Sequence, residues 1–170
     1  MVLRCCPLLV ILSTNLWYGV TVHYGALETA LYIFSMLCVG LLEEVIFRGL
    51  LFEAMRKDGI KSAVIVSSVT FGIGHIINLI NGSGAELLPN LLQVVYATAA
   101  GFMFVMIYYK SGSLLACSAA HGVFNALSVF ADEANASGEM RILSAVLLTV
   151  IAGAYAAYLA LTMKTNDKGE

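Results

Sequence analysis

Six apolar stretches, at about 5–22, 27–48, 62–80, 87–109, 113–130 and 142–163, take up most of this chain. Each approaches the roughly 20 residues that a helix needs to cross a hydrocarbon core ~30 Å thick, and their length and lack of alternation exclude strands. Turn residues punctuate them: Asp58-Gly59, Asn81-Gly82-Ser83-Gly84, Ser111-Gly112-Ser113 and the run from Asn135 to Gly138. Of the 170 residues 60% are hydrophobic and only 12% charged, which leaves too little polar surface to cover a water-exposed globule. The expected fold is all-α: a polytopic transmembrane bundle of about six helices, a single integral membrane domain over 1–170.

A net charge of −2 offers no basic footprint for nucleic acid. The cations are unevenly distributed all the same. If the helices alternate, Arg4, Arg56, Lys57, Lys61, Lys110, Lys164 and Lys168 fall on one side and Arg141 alone on the other, which by the positive-inside rule puts both termini in the cytoplasm. The first stretch reads as a retained helix, because Thr21-Val22-His23-Tyr24 makes a poor signal-cleavage site. Cys5, Cys6, Cys38 and Cys117 lack metal-type spacing and read as apolar packing rather than as a disulfide framework.

Glu43, Glu44 and Arg48 all fall within the second stretch. A charge at the centre of a membrane helix costs on the order of 2.5–3.5 kcal/mol, against about 0.3–0.6 returned by each Leu or Ile, so this cluster consumes most of what its segment gains by insertion. Glu44 and Arg48 stand four apart with the acid first, the favourable order for an ion pair on one face, and this leaves Glu43 without an obvious partner. Depth connects it to other segments. Glu43 precedes Lys57 by fourteen residues, His75 follows Lys61 by fourteen, and His121 and Asn125 follow Lys110 by eleven and fifteen. At ~1.5 Å per residue all four lie about 16–22 Å from those cations, a single layer, and lipid forces polar groups at one depth to face each other around water. His121 and Asn125 share a helix face and offer donors to a developing oxyanion. Asn78, three after His75, is placed to orient that ring. Phe71 reads as packing, Gln93 and Tyr96 as cavity lining, and Glu53 with Arg56 and Lys57 as a solvated helix end.

Three motifs carry a family resemblance. Glu43-Glu44-Val45-Ile46-Phe47-Arg48 matches EExxxR, Phe71-Gly72-Ile73-Gly74-His75 matches FxxxH, and His121-Gly122-Val123-Phe124-Asn125 matches HxxxN. In this order they resemble the CPBP family, the CAAX prenyl proteases and bacteriocin-processing enzymes also called Abi, over about 31–127. The resemblance implies a four-helix catalytic core acting as an intramembrane endopeptidase on membrane-associated peptides or proteins. It makes Glu43 the general base, His75 its helper in activating water, His121 and Asn125 the oxyanion donors, and Glu44 and Arg48 the support. The chain's length resembles prokaryotic members, which implies a cytoplasmic-membrane location and a cavity opening toward the cytoplasm. His75, His121 and Glu43 could form a three-ligand zinc site with one open position, or bind only water. A non-proteolytic role for the same polar layer, as an immunity factor, scaffold or proton-linked transporter, is the rival reading.

Overall fold

The computed structural model describes residues 2–81, 84 and 86–162, with side chains from residue 6 onward. Gly82, Ser83, Lys164 and Lys168, used above for turns and charge, lie outside the described residues, as do the side chains of Arg4 and Cys5. Among the described residues the protein is an all-helical bundle of six helices. They are α1 (Val2–Ser13), α2 (Ala26–Arg56), α3 (Ile60–Leu79), α4 (Leu87–Ser111), α5 (Leu114–Leu127) and α6 (Gly138–Thr162). α2, α3, α4 and α6 are long and apolar enough to cross a membrane, while α1 and α5 are shorter apolar helices.

α1 stops well before residue 22. The hydroxyls of Ser13 and Thr14 turn back to donate to Val10 O and Ile11 O, each at 2.8 Å, and a 3-10 turn over Thr14–Leu16 follows. Gly19 then takes φ 116°, in the left-handed region open to glycine, and Thr21 N donates to Phe130 O at 3.0 Å. The apolar run up to Val22 is therefore a connection across the bundle end. Hydropathy does not sense the backbone change that ends the helix.

The bundle is built inside out relative to a soluble protein. Leu41, Leu42, Ile46 and Leu50 of α2 are exposed, whereas Glu44 and Arg48 on the same helix are 0% exposed. α2 packs on α5, α3 on α4, and α4 on α6, so α4 supplies the centre of the core with Met103, Phe104 and Val105. Glycines set the closest crossings. A Cβ on Gly40 would lie 2.6 Å from Gly122 N, and one on Gly101 would lie 2.8 Å from Ser68 O, so α2 meets α5 and α3 meets α4 backbone to backbone.

Two helices leave α geometry at the motif residues. α2 is α-helical over Ala26–Glu44, widens to a π segment over Val45–Phe52, and resumes as a short α turn. α3 is α-helical over Ile60–Gly74 and tightens to 3-10 over His75–Leu79. Such irregularities often mark functional positions, because they re-aim side chains that a regular helix would point elsewhere.

Candidate active site

The π segment puts Glu44 and Arg48 on the inward face of α2. Arg48 Nη1 donates to Glu44 Oε1 at 2.9 Å, Arg48 Nη2 donates to Gly101 O at 2.9 Å, and Ser67 Oγ of α3 donates to Phe47 O at 2.8 Å within the widened turn. The Arg48 guanidinium also lies 4.6 Å from the centre of the Phe71 ring. The ion pair expected from the four-residue spacing thus forms, fully enclosed and supported from α3 and α4.

The Gly40–Gly122 crossing brings His121 of α5 onto α2. Its Nδ1 is 2.8 Å from Glu44 Oε1, and its Nε2 is 3.4 Å from Glu43 Oε2. A carboxylate only accepts at this distance, so Nδ1 carries a proton toward Glu44 and Nε2 is left to face Glu43. Glu43, which the sequence left unpaired, has a partner here while its side chain remains 29% exposed. Phe104 stacks on the His121 ring with centroids 4.7 Å apart, and Phe71 meets it edge-on at 5.5 Å.

His75 is set by the change of helix type. Its backbone N–H turns to Gly72 O in the 3-10 geometry, which leaves Phe71 O to accept from the His75 ring, Nδ1 to O being 3.0 Å. A carbonyl cannot donate, so the proton sits on Nδ1 and Nε2 is an acceptor. Asn90 of α4, 1% exposed, donates to His75 O at 2.8 Å and supports the break from the other side. Phe71 also touches this ring edge-on at 5.2 Å, and so packs against both imidazoles.

His75, His121 and Asn125 line one cavity of about 60 Å³, together with Gln93 and Tyr96 of α4. That is room for a few waters. The amide of Asn125 has no hydrogen-bond partner among the described residues. The Asn78 amide donates to Gln93 Oε1 at 3.1 Å, and Phe71 O accepts from the His75 ring nitrogen. Glu53 and Arg56 pair at 3.3 Å as a solvated helix end.

Sequence reasoning missed Cys117. Fully buried one turn before His121, it donates its thiol hydrogen to Glu44 Oε2 at 2.8 Å. The four-residue offset from His121 was the available signal, since it places both on one face of α5. Asn90 was missed as well, and the signal there was an amide within an apolar run. Among the described residues no group of three or more His, Cys, Asp or Glu side chains is placed to hold a metal ion.

The cavities also depart from the expected opening toward the Lys57, Lys61 and Lys110 end. Tyr96, Phe124 and Leu148 wall both the histidine cavity and a second cavity of about 160 Å³, which is lined by Asn15, Glu133 and Arg141. These groups surround the start of α4, whereas Lys110 stands at its end, eighteen residues or ~27 Å beyond Leu92.

No curated protein and no solved structure matches the chain. A family model described as type II CAAX prenyl endopeptidase Rce1-like matches residues 25–127, more than half of the sequence and all three motifs. With helices that can span a bilayer and a polar site enclosed between them, this integral membrane protein belongs to the Rce1-like family of type II CAAX prenyl endopeptidase-like proteins.

Proposed function

We propose that the protein is an intramembrane endopeptidase that hydrolyses peptide bonds of membrane-associated peptides or proteins. Glu43 stands 3.4 Å from His121 Nε2 and is not itself among the residues lining the histidine cavity. It takes a proton from a water, with His75 assisting through its acceptor Nε2, and the hydroxide adds to the scissile carbonyl carbon. Negative charge collects on the carbonyl oxygen, where Asn125 and His121 donate to it. To donate through Nε2 while Nδ1 is committed to Glu44, the His121 ring carries two protons, and the carboxylates of Glu43 and Glu44 offset its charge. The intermediate collapses, the C–N bond breaks, and the proton held by Glu43 passes to the departing amine. Glu44, Arg48 and Cys117 touch no reacting atom and act by holding His121. The catalytic core spans about 31–127 within one membrane domain, seated in a prokaryotic cytoplasmic membrane with both termini inside.

The observation that carries this reading is the unpartnered Asn125 amide on one cavity with two imidazoles that are both held through Nδ1, one by a carboxylate and one by a carbonyl. That amide is half-buried, and its donors are open to a substrate oxygen. Purified Glu43→Gln and His75→Ala should lose turnover of a membrane peptide while keeping the fold, and membranes bearing wild type or Glu43→Gln should differ by a cleavage fragment. Undiminished cleavage in either variant would refute the assignment. A Glu43 variant that keeps the full biological effect would point to an immunity, scaffold or transport role instead.

A further inference from the structure

Three cavities lie in a row from the end of the bundle to the histidines. The outermost, about 610 Å³, is bounded by Glu86 and Gly84 and shares Pro89, Leu92, Glu133 and Arg141 with the middle one of about 160 Å³. The middle one shares Tyr96, Phe124 and Leu148 with the innermost, which holds His75, His121 and Asn125. We propose that these cavities form one hydrated inlet through which an extended peptide segment reaches the site from the Glu133 and Arg141 end, with Tyr96, Phe124 and Leu148 as its narrowest point.

The wall chemistry selects the occupant. Tyr18, Tyr96 and Ser144 line the middle cavity, and their side-chain hydroxyls make no hydrogen bond among the described residues. Asn15 spends its amide N–H on Phe124 O at 2.6 Å, which leaves its Oδ1 to accept. An acyl chain would strip water from these groups and return nothing, whereas an extended peptide brings one donor and one acceptor per residue. A separate groove of about 550 Å³ between α3, α4 and α6, lined by Val95, Ala99, Phe102 and Ala157, has almost wholly apolar walls and suits lipid. Position agrees with chemistry. His75 is four residues from the end of α3, Gln93 is six from the start of α4, and Leu148 is ten from the start of α6, so the site lies within ~15 Å of the helix ends that frame the inlet. What passes along the inlet rests on the endopeptidase reading, whereas the inlet itself does not.

The test uses the full chain in nanodiscs, with Cys5, Cys6 and Cys38 replaced by Ala and the buried Cys117 retained. Ser144→Cys reports on the inlet and Ala157→Cys on the apolar groove, and both are treated with a sulfonated, membrane-impermeant methanethiosulfonate. Ser144→Cys should react at least about tenfold faster than Ala157→Cys, because only a hydrated thiol ionises and meets the reagent. The attached group should then lower kcat/KM toward a membrane-anchored peptide by about tenfold or more. Equal labelling rates would overturn the inlet, and so would a labelled Ser144→Cys that cleaves as fast as its unlabelled form. If unlabelled protein cleaves no membrane peptide, the endopeptidase reading fails, and the labelling rates alone still decide whether the inlet exists.

Discussion

Glu44 Oε1 lies 2.8 Å from Nδ1 of His121, on the opposite edge of the ring from Glu43. The two neighbouring acids therefore serve the same imidazole in different ways. Glu44→Gln leaves the Arg48 guanidinium enclosed and unpaired, and breaking such a pair costs about 3–5 kcal/mol. Glu43→Gln alters a partly exposed group and should cost under about 1 kcal/mol while abolishing turnover. Denaturant unfolding of both variants in detergent checks the contrast, and similar losses would contradict it.

Asn125→Ala separates binding from chemistry. Because its amide holds no other part of the protein, the melting temperature should stay at the wild-type value. Loss of an oxyanion donor should lower kcat about 10²–10³-fold with KM little changed. A matching rise in KM would instead make Asn125 a substrate-binding group.

Gly40→Ala should damage the site from a distance. Its Cβ would meet backbone atoms of Gly122 at 2.6 and 2.7 Å, so α2 and α5 must part and draw His121 away from Glu44. A cost of about 1–3 kcal/mol and loss of most activity are expected. Gly153→Ala, where a Cβ meets nothing within 4 Å, should be neutral or stabilising by up to about 1 kcal/mol. Thermal unfolding of the two variants, with turnover measured alongside, reads the difference.

Cys117→Val keeps the site apolar and removes the donor to Glu44 Oε2, whereas Cys117→Ser keeps a donor. Valine should cost about 1–3 kcal/mol and lower kcat, with serine recovering most of both. The position of the His121 ring proton, read from its ¹⁵N imidazole resonances, should change in the valine variant and return in the serine variant. An unchanged spectrum in Cys117→Val would remove the thiol from the chain of contacts.

What could be read from sequence was whatever depends on spacing along one helix: the apolar spans of α2, α3, α4 and α6, and the Glu44–Arg48 pair. What depended on partners far along the chain could not be read. The π and 3-10 segments are held by Ser67 and Asn90 from neighbouring helices, and neither has a local signal. The same limit explains why the sequence offers no partner for Glu43 and why Cys117 reads there as apolar packing. The early end of α1 turned on the 3-10 turn over Thr14–Leu16 and on the Ser13 and Thr14 hydroxyls that bond back to the helix, which hydropathy does not register.

The widened turn of α2 has a consequence for how such a site could arise and be lost. A π turn amounts to one extra residue absorbed without breaking the helix, and it leaves a weaker hydrogen-bond ladder than a regular coil would. Removing a single residue between Val45 and Phe52 would restore the tidier ladder and take away the wide turn in which Arg48 sits. A shortened chain of that kind would be a sturdier membrane protein with a silent centre, so keeping the irregular turn means accepting a less stable helix in return for chemistry.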